Sequence, residues 1–138
     1  MFAVHKPIEL VPQEIRVFLN LFGNGFYAAH KRARATADAA FQPLLTVATR
    51  DLGEMVEVRI PDNGTGIPDE IKDKLFQQFF TTKPTGEGIG LGLSISYDIV
   101  THQHSGTIEV DSSKPGSYTE FTILLPRSSR AANVKAAG

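Results

Sequence analysis

Met55-Val-Glu-Val-Arg-Ile-Pro-Asp-Asn-Gly-Thr-Gly66 is an alternating, β-branched run that ends in a glycine-bearing turn. The alternation predicts a strand over Met55 to Ile60. Leu44 to Arg50 alternates in the same way, and Asp51-Leu52-Gly53-Glu54 separates the two runs, so together they predict an antiparallel hairpin. At the far end, Gly64 and Gly66 permit positive φ and let a flat ligand lie close to the main chain. Asp62 would accept a hydrogen bond from an exocyclic amino group of the kind adenine carries. Asn-Gly is also a common turn dipeptide, so this segment alone fits a plain turn equally well.

Towards the N-terminus, Ile8-Glu9-Leu10 reads as a short strand and Pro12 as the first residue of a long helix, with Glu14 placed for the first-turn dipole. Ile15, Phe18, Leu19, Phe22, Phe26 and Ala29 recur at three- and four-residue spacing, which predicts that their side of the helix is core. Asn20, Asn24, Tyr27 and Lys31 fall within about 60° of one another on the opposite side. Two carboxamides one turn apart can hold a hydrated Mg2+ through their oxygens and donate to phosphate oxygens through their amides, without repelling a polyanion. An isolated Asn-x-x-x-Asn is more often a solvated surface, so the pair by itself decides little. The stretch from Lys31 to Ala40 reads as a fraying end and a loop.

Towards the C-terminus, Pro68-Asp69-Glu70 predicts a short helix to Leu75, and Phe76 to Gly92 a mobile loop. Within that loop Gly86-Glu-Gly-Ile-Gly-Leu-Gly92 has glycine at alternate positions and leads into a helix from Leu93 to about His102. Its N–H groups and the positive helix terminus can then face phosphate oxygens. A flexible linker is the alternative, but Ile89, Leu91 and Leu93 alternate as if one side packed. The G-x-x-x-x-G-K-[ST] pattern of P-loop enzymes is absent. Phe76-Gln-Gln-Phe-Phe-Thr-Thr-Lys83 reads as a lid whose aromatics dock and whose Thr81, Thr82 and Lys83 bring hydroxyls and a cation to a γ-phosphate; the other reading makes Phe76, Phe79 and Phe80 core residues. Thr107 to Val110 and Tyr118 to Leu125 predict two strands about a Ser112-Ser113-Lys114-Pro115-Gly116 turn. One domain over residues 1–126 is expected, followed by a disordered tail over residues 127–138.

With 138 residues, 41% of them hydrophobic, the chain can build one core and not comfortably two. Lys+Arg number 14 against 15 Asp+Glu, and the net charge of −1 supplies no basic field for nucleic acid or an anionic membrane. No Cys is present, so disulfides and thiolate metal sites are excluded and a reducing, cytoplasmic compartment is expected. No run reaches the roughly 18 to 20 apolar residues of a spanning helix, and no charged leader with a long apolar stretch opens the chain, so no direct membrane contact is expected. His5, His30, His102 and His104 have no carboxylate immediately after them and are expected in surface or packing roles.

Taken in order, Asn20-Leu-Phe-Gly-Asn24, Asp62-Asn-Gly-Thr-Gly66, Leu75-Phe-Gln-Gln-Phe-Phe-Thr-Thr-Lys83 and Gly88-Ile-Gly-Leu-Gly-Leu-Ser94 resemble the asparagine, first glycine, phenylalanine and second glycine boxes of sensor histidine kinase catalytic domains, within the GHKL ATPase superfamily. The resemblance spans roughly Ile8 to Pro126. It implies the Bergerat fold, a two-layer α/β sandwich with helices on one face of a mixed, mostly antiparallel sheet and an ATP lid between the boxes. It also implies ATP and Mg2+ as cofactors. By the same resemblance Asn24 is the metal ligand, Asn20 assists it or binds phosphate, and Asp62 takes the adenine amino group, with Gly64, Gly66 and Ile67 lining the base pocket. Thr82, Lys83, Gly88, Ile89, Gly90, Leu91, Gly92 and Leu93 would surround the phosphates, and Asn20, Asn24 and Lys83 would carry the catalytic roles. Tyr27 stands where many members carry a phosphate-directed Lys or Arg, a cation that Lys31 would replace one turn on. Gly25 stands where they usually have Ala, at a helix cost of roughly 1 kcal/mol.

Gyrase-type and chaperone-type members carry a water-activating Glu four residues before the metal-binding Asn, and here that position is Asn20. An amide cannot act as a general base at neutral pH, so the resemblance implies a protein-histidine kinase domain that transfers the γ-phosphoryl group to an outside His. The acceptor would lie on a separate helical dimerisation and phosphoacceptor domain, with a response regulator as an indirect partner. Nothing in these residues matches that helical element. The chain is therefore expected to be an isolated, monomeric catalytic domain or a piece of the cytoplasmic part of a longer receptor. A GHKL-type ATPase and a non-catalytic nucleotide-sensing interaction module are the alternatives.

Overall fold

In the computed structural model, which describes residues 10–77, 92–112 and 118–127, the alternating run becomes the second strand of a four-stranded sheet. β1 (Ala48–Asp51), β2 (Met55–Asp62), β3 (Thr107–Asp111) and β4 (Thr119–Pro126) lie in the order β1-β2-β4-β3. Every pairing is antiparallel among the described residues, so the mixed character expected of the sheet is not seen there. The hairpin forms as expected, with β1 confined to its last turn-proximal residues and Leu45 making a separate bridge to Asp62.

A two-residue period puts Val56, Val58 and Ile60 of β2 on one face, and Phe121, Ile123 and Leu125 of β4 and Ile108 of β3 join them in the buried core. That face is covered by α1 (Pro12–Ala35) and by the helical segment that begins with α3 (Gly92–Asp98) and continues as a π-helical turn (Ile99–Gln103). Val17, Phe18 and Leu21 from α1, with Ile99 and Val100 from the turn, close the core. The result is the two-layer sandwich. α2 (Asp69–Lys72) is a single turn, and the hydrogen bonds from Lys74 N to Ile71 O and from Leu75 N to Lys72 O carry the chain on to Leu75.

α1 starts as its sequence predicts. Pro12 takes the first helical position, and Glu14 Oε2 accepts from Val11 N at 3.0 Å, which satisfies an end donor. Its buried side differs from the expected one. Phe18 and Ala29 are buried, but Ile15, Leu19 and Phe26 are 45%, 64% and 60% exposed, and Val17, Leu21 and Gly25 take their place. Gly25, Ala28 and Ala29 are the residues of this helix that lie against the segment around Leu45 and Gly64, where their small size leaves room for close approach.

Of the histidines, His104 is 5% exposed with Nδ1 3.5 Å from Glu14 Oε1, His102 lies on the surface 2.8 Å from Asp98 Oδ1, and His30 is exposed. Arg127, expected at the head of a disordered tail, is instead fastened to the β1–β2 hairpin: Nε donates to Gly53 O at 2.9 Å and Nη2 meets Asp51 Oδ1 at 2.6 Å. Residues 128–138 lie outside the described residues, as do residues 8 and 9 of the expected first strand and residues 78–91 of the expected lid. No helix among the described residues is long and apolar enough to cross a membrane.

Candidate functional site

Two glycine-bearing segments meet α1 at different heights. Towards its C-terminal half, a methyl group on Gly64 would lie 2.5 Å from Ala28 C, 2.6 Å from Ala28 Cβ and 2.7 Å from Ala29 N. Only glycine lets the turn after β2 rest against the helix. Nearer the N-terminus, Asn20 Nδ2 donates to Gly92 O at 3.4 Å and to Ser96 Oγ at 3.3 Å, stitching α1 to the first turn of α3. The helix rises about 12 Å from Asn20 to Ala28, and Asn24 lies midway.

Asp62 ends β2 at the first of these contacts. It is 4% exposed, and its Oδ1 accepts from Gly64 N at 2.9 Å. Burial pushes its carboxyl up to about 6, and the Gly64 donor only partly counters that shift. A desolvated carboxylate gains more from a ligand N–H donor than an exposed one would. Leu45 pairs with Asp62 and fills the space in front of Gly25, where a side chain would collide with Leu45 Cδ1 and touch Asp62 Oδ2 at 3.6 Å. Gly25 therefore has a packing reason to be glycine.

Asn63 is a strut. Its Oδ1 accepts from Leu44 N at 2.8 Å, its Nδ2 donates to Gln42 O at 2.8 Å, and its carbonyl accepts from Arg32 Nη1 at 3.0 Å. The Asn-Gly pair thus pins a neighbouring segment and does not close a hairpin. Beyond it, Gly66 has φ +71°, a conformation that favours glycine. Ile67 N then donates to Ser112 Oγ at 2.8 Å.

Asn20, Asn24 and Tyr27 are half-buried on α1, and Lys31 is exposed. Gly92 and Leu93 are half-buried at the start of α3. Thr82, Lys83, Gly88, Ile89, Gly90 and Leu91 lie outside the described residues. Nothing in sequence spacing marks Arg32, Ser96 or Ser112, whose partners are far away along the chain. Among the described residues no three His, Cys, Asp or Glu side chains group to hold a metal ion. Mg2+ commonly keeps several waters and takes one or two protein oxygens together with substrate phosphates. The half-buried Asn24 carboxamide, placed between the two glycine contacts, fits an ion that arrives with a triphosphate.

The family model described as "Histidine kinase-, DNA gyrase B-, and HSP90-like ATPase" matches residues 12–129. The chain is 49% identical over 80 residues to the sensor kinase CckA of Brucella abortus (strain 2308), an alignment covering 56% of this chain and 8% of that protein. It is 35% identical over 111 residues to the sensor protein FixL of Bradyrhizobium diazoefficiens, covering 80% of this chain and 20% of that protein. Among solved structures, the catalytic domain of histidine kinase ThkA is similar with a TM-score of 0.66 and 29% identity, over 83% of this chain and 66% of that one. The chain spans no more than 20% of the length of either sensor protein.

Proposed function

The chain belongs to the histidine kinase-, DNA gyrase B- and HSP90-like ATPase family, and from that premise we propose that it binds ATP with Mg2+ and transfers the γ-phosphoryl group to a His on a separate helical dimerisation and phosphoacceptor domain. A response regulator would receive the phosphoryl group in turn, in cytoplasmic two-component signalling. The observation that carries this reading is Asp62, a desolvated carboxylate held against α1, with the contact between Asn20 and Gly92 about 12 Å away along the same helix. One extended nucleotide suits that span. Its base amino group donates to Asp62 beside Gly64, Gly66 and Ile67, and its phosphates lie towards Gly92.

Asn24, between the two ends, supplies a neutral oxygen to the metal-bound triphosphate. A bound Mg2+ would supply charge neutralisation for the transferring phosphates. Asn20 holds the start of α3 through its amide hydrogens. It cannot take a proton from water, and this favours an acceptor from outside over hydrolysis. The resemblance to named sensor kinases supports the same choice.

Titration with MgATP, followed by addition of the helical domain from the same signalling system with γ-labelled ATP, tests the reading. Acid-labile label on that domain is the expected result. Fast phosphate release without an acceptor would support a hydrolase, and no binding at millimolar MgATP would refute the nucleotide reading.

A further inference from the structure

The turn that carries the base site is held at its two ends by different means. The upstream end is fixed by the sheet: Asp62 pairs with Thr119, and its Oδ1 takes the Gly64 N–H. The downstream end leaves the sheet through Gly66, and the next amide, Ile67 N, donates to Ser112 Oγ at 2.8 Å. The same hydroxyl donates to Tyr118 O at 2.7 Å. Ser112 is 1% exposed and its two partners are half-buried, so a bond left unmade would strand a polar atom of a buried side chain. A serine hydroxyl has one hydrogen and two lone pairs. Here the hydrogen goes to Tyr118 and a lone pair to Ile67. Tyr118 directly precedes Thr119, the partner of Asp62, so Ser112 ties the far end of the turn back to the strand position opposite the carboxylate.

We propose, on the ATP-binding reading above, that Ser112 is a positioning residue for the adenine site. It sets the separation of Ile67 from Asp62, and with it base selectivity, without touching the nucleotide. A residue that served only the fold would weaken every ligand together. Loss of the Ser112 hydroxyl instead acts on the base end and spares the triphosphate end at Asn20 and Asn24.

Calorimetric titration of the chain with MgATP, MgGTP and magnesium tripolyphosphate tests this in wild type, Ser112→Ala and Ser112→Thr. Ser112→Ala is expected to lose about tenfold in MgATP affinity, the worth of one buried hydrogen bond, with a matching fall in the ratio of ATP to GTP affinity and no change for tripolyphosphate. Hydrogen exchange at Ile67 N–H accelerates while the amides of Val58 and Ile60 in β2 keep their protection. Ser112→Thr, which keeps the hydroxyl, restores most of the ATP affinity. If Ser112→Ala does not fold, Ser112→Cys, similar in size but a weak donor and acceptor, replaces it with the same expected ratio. An unchanged ratio of ATP to tripolyphosphate affinity in a folded variant, or an equal loss for both ligands, overturns the proposal alone. Failure of the wild-type chain to bind MgATP overturns the reading beneath it and the proposal with it.

Discussion

Asp62→Asn separates what the carboxylate costs the fold from what it does for a ligand. Burial pushes Asp62 up to about 6 in the folded chain, against an ordinary value of 3.8 that the unfolded chain regains. Because the folded value is the higher one, the group's contribution to stability is fully present below pH of about 4 and is lost as pH rises through about 6. Integrated from about pH 4.5 to about pH 7.5, that loss is roughly 2 kcal/mol. Asn keeps an oxygen for the Gly64 N–H and carries no charge, so the loss is absent in the variant. Its added N–H groups introduce an offset of about 1–3 kcal/mol if they go unpaired, and that offset does not depend on pH. The informative quantity is therefore the change with pH of the stability difference between variant and wild type.

Urea denaturation of both proteins at the two pH values, followed by circular dichroism, yields it. The variant should gain roughly 2 kcal/mol on wild type between them. At neutral pH it should also bind MgATP about tenfold more weakly, since an amide offers the adenine amino group a neutral acceptor beside a competing donor. A difference that does not move with pH refutes the desolvation of Asp62, and undiminished ATP affinity refutes its role at the base.

Asn24→Ala should bring MgATP affinity down to that of ATP measured with the metal chelated; a surviving Mg2+ dependence in calorimetry would remove Asn24 from the metal site. Gly64→Ala places its methyl against the main chain of Ala28 and Ala29, which cannot swing aside, and should cost about 2 kcal/mol or more in thermal denaturation, with ATP affinity falling alongside. Gly25→Ala collides with the flexible end of Leu45 and makes only ordinary contact with Asp62, and the helix gain of about 1 kcal/mol should offset the repacking. A loss as large as that of Gly64→Ala would show that Leu45 is fixed in place. Glu14→Ala removes the acceptor for Val11 N and should lower stability by about 1 kcal/mol, measurable by urea denaturation, whereas Glu14→Gln should retain most of it.

The four strands, the long helix and the order of the glycine and asparagine boxes were legible in the sequence because each is a short-range pattern. Alternation along Met55 to Ile60 specifies a half-buried strand whatever lies next to it, and the spacing of Asn20 and Asn24 places both amides on one side of any α-helix. Family membership follows from such local patterns taken in order.

Tertiary structure alone decided which side of α1 is buried. Periodicity shows that Ile15, Leu19 and Phe26 share a stripe, but not that Gly25, Ala28 and Ala29 let a neighbouring segment come closer than any large side chain allows. Asp62 was visible as a carboxylate, and only its enclosure by Leu45 and α1 made it a desolvated one. Ser112 and Arg32 act through partners 45 and 31 residues away, Ile67 and Asn63. Nothing in the local chain encodes such a bond, because it exists only once the sheet has brought the two segments together.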